Sequence, residues 1–212
     1  MLKDWNFWCS VITALTATLA LVLSVRQIRI SNKQQLFDRR LKVYMLANSL
    51  ISLCEDNYIW LSPKREQIPQ FANDYIFIWL TNNTYMENQA DAIEHPLEQP
   101  FHKEFLQKRE ELRITAAEIE LIFKGKVALA YSNFLRSYEA ALAAMYEYQI
   151  IVDEMQKENE KHPMTIEEAG KMFSEEKYRD SLYDAMDNLR KAYDAVAEEK
   201  VKKQIKKQLK LV

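Results

Sequence analysis

From Trp5 to Val25 the chain runs for 21 residues without a charge, and Arg26 and Arg29 close the run. As a helix rising about 1.5 Å per residue it is roughly 30 Å long, the thickness of a bilayer hydrocarbon core. A cleaved secretory signal differs from this: it has a basic start, a shorter apolar core and small residues at the cleavage point. Here Lys3 and Asp4 cancel, and the residues after the run are basic. A buried helix of a soluble domain is usually shorter and lacks the charge step. The expectation is an uncleaved single-pass anchor, residues 1–30 with its basic flank, whose natural solvent is membrane lipid.

Orientation follows from the flanks. Between residues 26 and 42, Arg26, Arg29, Lys33, Arg39, Arg40 and Lys42 face Asp38 as the sole acid. Lys and Arg resist translocation, which keeps that flank in the cytoplasm and leaves the N-terminus outside. Trp5 and Trp8 stand at the opposite edge, where amphipathic indoles sit among headgroups. Along the run, Asn6, Ser10, Thr13, Ala17, Ala20 and Ser24 are spaced 4-3-4-3-4, which places them on one stripe of a helix. Small and hydroxylated residues let helix backbones approach in lipid, so the stripe is a candidate self-association seam and the chain an expected homo-oligomer. The run holds no ionisable residue of the kind that marks an ion pathway.

The chain beyond the anchor must fold with few turns. The 212 residues include two glycines and five prolines, and tight turns need Gly, Asn or Pro at special backbone angles. Few, long helices are expected: an all-α chain in which residues 31–199 form one antiparallel cytoplasmic bundle of four or five helices. Two cysteines, Cys9 and Cys54, cannot make a disulfide framework and suit a reducing compartment. The Asn82-Asn83-Thr84 sequon should be silent there.

The first helix is expected over about 32–61, continuing from the anchor with at most a kink near Ile30-Ser31-Asn32 and ending at Ser62-Pro63. Residues 64–100 are the least regular, with a dense apolar patch from Phe71 to Leu80 that reads as a short buried helix or a strand. From Phe101 a helix holds Phe105, Leu112, Ala116, Ile119 and Phe123 on one face, interrupted by Arg109. Gly125 marks a break. The cleanest repeat comes next: Phe134, Tyr138, Ala141, Met145, Tyr148, Val152 and Met155, spaced 4-3-4-3-4-3. His162-Pro163 closes it, and Thr165 with Glu168 forms a capping box. A last helix carries Leu182, Met186, Leu189, Tyr193 and Val196 inward.

Chemistry finds little support. His95 and His102 lie near Glu94, Glu98 and Glu104, but a spacing of seven across two prolines is no recognised ligand pattern. His162 precedes a proline at a turn. No nucleophile elbow occurs, and Gly125 and Gly170 are too isolated for a phosphate-binding loop. Neither a cofactor nor a metal is expected, and the chain reads as non-enzymatic; an enzyme with an unrecognised carboxylate or histidine site is the least favoured alternative. The acids of residues 147–199 space as a solvated helix face.

Residues 200–212 form a basic amphipathic tail. Val201, Ile205, Leu209 and Val212 fall on one side, with Lys202, Lys203, Lys206, Lys207 and Lys210 around them. Lysines beside an anionic leaflet are attracted to it, which makes them candidate membrane-surface contacts alongside Arg26, Arg29, Lys33, Arg39 and Arg40. The bland alternative is a helix end that complements its own dipole and frays. Nucleic acid is not an expected partner, because the tail lacks arginine and interleaved aromatics and the domain is acidic.

The stretch Asn32-Lys33-Gln34-Gln35-Leu36-Phe37-Asp38-Arg39-Arg40-Leu41-Lys42-Val43-Tyr44 resembles the juxtamembrane motif of a widespread group of small bacterial single-pass proteins. Ile119-Glu120-Leu121-Ile122-Phe123 is similar to a mid-domain hydrophobic element of that group. The resemblance covers about 30 residues and implies topology: an inner (cytoplasmic) membrane anchor with the domain inside. It implies no catalytic residue. Some members sit among defence genes, which makes a phage-defence role one implication. The leading expectation is a membrane-anchored interaction, sensing or scaffold module with a protein partner. The main alternative is a membrane-disrupting effector whose bundle controls the anchors.

Overall fold

One helix, α1 (Leu2–Asp56), carries both the uncharged run and the first part of the packed region. At 55 residues it is about 80 Å long. The computed structural model describes residues 2–61 and 76–209, apart from the side chains of Leu2, Lys3, Asp4, Asn6, Ile76, Phe77 and Ile78. Among the described residues the chain is all-helical and has no strand. The continuation expected at Ile30-Ser31-Asn32 is present: α1 passes through uninterrupted, since no Pro or Gly breaks its hydrogen-bond ladder. It ends at Asp56 rather than Leu61, and a 3-10 turn over Tyr58–Leu61 comes after it.

The remaining helices are α2 (Ile76–Thr81), α3 (Gln89–Glu94), α4 (Phe101–Ile122), α5 (Lys126–Lys161), α6 (Ile166–Phe173), α7 (Glu175–Ala197) and α8 (Glu199–Gln208). The apolar patch expected from Phe71 resolves into α2 over its last residues; Phe71 and Tyr75 lie outside the described residues.

The core is organised on α5. Its stripe Phe134, Tyr138, Ala141, Met145 and Tyr148 is buried, and Leu135 and Leu142 on a neighbouring line are buried as well. A helix buried on more than one line can take a neighbour on each side, and α4 and α7 pack along it. The second half of α1 closes the core with Val43, Ala47, Leu50, Leu53 and Cys54. Burying a side chain such as Leu50, which is 0% exposed, contributes about 1.5–3 kcal/mol before entropy is counted.

Caps divide the polypeptide where its pattern shifts. Gly125, at φ +68°, takes the backbone angle that an L side chain rarely adopts, and separates α4 from α5. The Thr165 hydroxyl accepts from the Glu168 N–H while the Glu168 carboxylate accepts from the Thr165 N–H, so the capping box forms. The last helix, expected as one, is three: α6 ends at Ser174 in the left-handed region and α7 ends at Glu198. The second break has a clear cause. Continuing the α7 stripe past Val196 would bring Lys200 and Lys203 onto the core face. An extended Glu198 resets the register, so that Val201 and Ile205 are buried instead.

Candidate membrane-facing site and charged groove

The two halves of α1 meet different surroundings. Trp5, Trp8, Ile12, Leu15, Leu19, Val22 and Leu23 are all exposed, about 60% or more in nearly every case, although they are among the most apolar residues of the chain. One helix is therefore long and apolar enough to cross a membrane, and none of its apolar window is covered by the rest of the protein. Ser10, Thr13, Ala17, Ala20 and Ser24 of the small-residue stripe are exposed too; the side chain of Asn6 lies outside the described residues. The Thr13 hydroxyl donates to the Cys9 carbonyl at 2.8 Å, and Thr16 and Thr18 bond back to their own helix in the same way. Of these three threonines Thr13 alone belongs to the stripe, and its hydroxyl proton is satisfied within its own helix.

Below this segment the basic flank divides by role. Arg26, Arg29 and Lys33 are exposed on α1. Arg39 pairs with Glu118 of α4 while keeping most of its side chain in solvent. Arg40 is half-buried and joins three pieces of chain. Its Nε donates to the Ile122 carbonyl at 2.7 Å, its Nη1 donates to the Gln208 carbonyl at 3.0 Å, and its guanidinium lies over the Phe123 ring. Both carbonyls belong to helix C-termini, where unpaired oxygens and the dipole favour a cation. Arg40 thus spends its donors on the protein body, although its sequence position suggests a headgroup contact.

The tail is held at the same place. Gln208 makes a paired amide contact with Lys124: the Lys124 N–H donates to Oε1 at 2.9 Å, and Nε2 donates to the Lys124 carbonyl at 3.1 Å. With Val201 and Ile205 buried, the apolar side of α8 is covered by the body. Lys203, Lys206 and Lys207 stay exposed and Lys202 is half-buried, while Lys210 and Val212 lie outside the described residues.

A second concave surface lies across α4, α5 and α7, a groove of about 830 Å³. Its floor is alanine, with Ala140, Ala143 and Ala144 from α5 and Ala185, Ala192 and Ala195 from α7. Arg109 and Arg113 line one wall and converge on the buried Glu139 carboxylate, at 2.6 and 3.0 Å. Beside them the Glu120 carboxylate accepts from the Ser132 hydroxyl and from Arg136 at 3.1 Å, which holds its pKa below the usual range. The sequence hint for this cluster was Arg109 interrupting an apolar stripe. Its partner Glu139, 30 residues away, lies outside the acidic stretch 147–199, and no local spacing links it to Arg109.

The histidines are dispersed. His102 Nδ1 lies 2.7 Å from the Tyr146 hydroxyl, which also accepts from the Leu97 N–H. His95 stacks on Phe101, and His162 pairs with Glu158. Among the described residues no three His, Cys, Asp or Glu side chains are grouped to hold a metal ion. Tyr148 and Arg179 share Glu175, a buried tie between α5 and the start of α7. Burial, and then the hydrogen bond to Glu175, push the Tyr148 phenol well above its ordinary value. Set against protein-family profiles, curated proteins and solved structures, the chain matches none.

Proposed function

We propose that this chain is a membrane-anchored helical interaction module. In this reading the first half of α1 spans a bilayer and the helical body stands in the cytoplasm. The carrying observation is the change of environment along one unbroken helix: the apolar faces are open before the basic flank and covered after it. An apolar surface of that extent, left open on every side of a helix, is stable in lipid and not in water. The excess of Arg and Lys after the run supports the body-inside orientation, and the small-residue stripe supports self-association within the bilayer.

The alanine-floored groove supports a protein partner. Small floor residues let a helix axis come close, and a rim carrying both signs of charge selects for register rather than for raw affinity. The body does its work by contact, with no reaction assigned to it. A second reading, an effector that disturbs the membrane, draws on one feature: α1 is continuous, so a rotation of the body at Arg40 is passed to the span without a flexible joint.

Extraction and protease access test the anchor. The full chain should remain in the membrane pellet at alkaline pH, and protease added to sealed inside-out vesicles should cut the body. Release by alkali would overturn the reading. Crosslinking in membranes tests the seam: Thr13→Trp or Ala17→Trp should lower the dimer yield, whereas Leu15→Trp should not. Dye release on expression discriminates the two readings, since a module that only tethers leaves the membrane tight.

A further inference from the structure

We infer that the body carries a second membrane contact: the α4–α5 turn with Lys124 and Lys126, together with Leu121 on the last turn of α4, binds the anionic face of the leaflet that α1 crosses. The inference rests on the anchor reading and adds a surface to it.

Four observations place this contact. Arg40 bonds to Ile122 and Gln208, and Gln208 bonds to Lys124, so the C-termini of α4 and α8 and the start of α5 meet α1 at one level. That level is the end of the body nearest the open segment of α1. Leu121 is 86% exposed, the most open large apolar side chain of the described protein, at a turn that otherwise buries Phe123 and Val127. Lys124 and Lys126 are exposed within five residues of it, and Lys206 and Lys207 are exposed near the end of α8, next to the Gln208 that bonds Lys124.

The balance of charge at this end is positive. Glu118 is paired with Arg39, Glu120 with Arg136 and Ser132, and Glu199 with Lys203. Asp38, exposed on α1, is the further acid at this level. An open leucine with lysines close by in the chain suits an interface that is negatively charged at its surface and apolar a few ångströms deeper.

Reach agrees with this. Arg40 lies 14 residues beyond Arg26 on a continuous helix, about 20 Å along the axis. Headgroups fill about 5–8 Å of that distance. A tilt toward the body of about 40°, the upper end of the range for membrane helices, lowers a turn set one interhelix distance to the side by roughly 10 Å, and side-chain length supplies the rest. Since α1 has no joint, the contact would also set its tilt direction.

The test uses the full chain with Cys9→Ser and Leu121→Cys, labelled with an environment-sensitive dye. A matched chain carries the label at Met172→Cys on α6, where the side chain is also open but belongs to the far end of the body. Both are reconstituted in phosphatidylcholine vesicles with or without phosphatidylglycerol, with nitroxide on the headgroups. In anionic vesicles the label at 121 should be quenched at least about fivefold more than that at 172. Lys124→Ala and Lys126→Ala should each lower the contact population by up to about fivefold, the worth of one lysine at an anionic surface. Equal quenching at 121 and 172, with the chain still resistant to alkaline extraction, overturns the contact and spares the anchor. A chain that alkali extracts overturns both. Quenching at 121 that is as strong without phosphatidylglycerol overturns the anionic leaflet as the ligand.

Discussion

Residues 7–25 and 43–54 belong to the same uninterrupted helix and are both rich in large apolar side chains, yet the first stretch is open and the second is largely covered. They differ in how apolarity is distributed around the axis. In the first, every face is apolar or small. In the second, Val43, Ala47, Leu50 and Cys54 make a stripe, and Asn48 and Ser52 stand away from it. A stripe needs a neighbouring helix, whereas an all-round apolar surface needs a solvent. The helix is thus divided by environment rather than by any break in its backbone.

Truncation should separate the two halves most sharply. Leu50→Ala should cost the body about 2–5 kcal/mol, measured by denaturant unfolding in mild detergent, because it opens a cavity in a fully buried site. Leu19→Ala should leave the same transition within about 0.5 kcal/mol, since that side chain touches no other part of the body. A destabilisation of equal size at both sites would mean that the first half packs on the body after all.

Next in size is the groove. Glu139→Ala should cost about 1–3 kcal/mol, as it leaves two guanidinium groups without their shared acceptor. Arg109→Ala should cost more than Arg113→Ala, because Arg113 is the more exposed of the two.

At the joint, Arg40→Ala should cost about 1.5–3 kcal/mol, through lost charged bonds to two helix ends. Arg39→Ala should cost at most about 1 kcal/mol, and that loss should shrink in high salt. Hydrogen exchange over 199–208 should rise for the first variant alone.

A small effect should also sit at the end of the body farthest from the open segment of α1. Thr165→Ala should cost about 1 kcal/mol and loosen α6 without touching α1. Glu168 is held below the usual carboxylate range, first by the Thr165 N–H and then by its hydroxyl. Its contribution is therefore complete above the ordinary Glu range and is lost as the pH falls through the lowered folded value. Exchange at residues 166–169 should rise on acidification in the parent chain and change little in Thr165→Ala.

How legible all this was in the sequence varied with range. The α5 stripe, the Gly125 break and the Thr165–Glu168 box depend on residues within a few positions of one another, and each is read from spacing alone. The continuity of α1 through Ile30-Ser31-Asn32 is less legible, because those residues permit a break or a continuous helix and only the run of hydrogen bonds decides. The division of the last helix had a local sign, the one-residue shift from Val196 to Val201 and Ile205, but its cause is the core that both segments must face.

By itself, then, the sequence determined what can be written as a period or a composition. It dictated an uncharged span of membrane length, a helical chain poor in turns, a basic flank, and the caps that end several helices. Only the tertiary structure decided where long-range polar bonds go. Arg40 is used inward, Glu139 is claimed by two arginines, and the tail lies on the body with its lysines out. The physical reason is that apolar burial follows local patterns, whereas a guanidinium reaching a carbonyl 82 residues away is placed by the packing of everything between them. For the opening run of α1, structure adds one fact that spacing could not supply: no part of the described protein covers it.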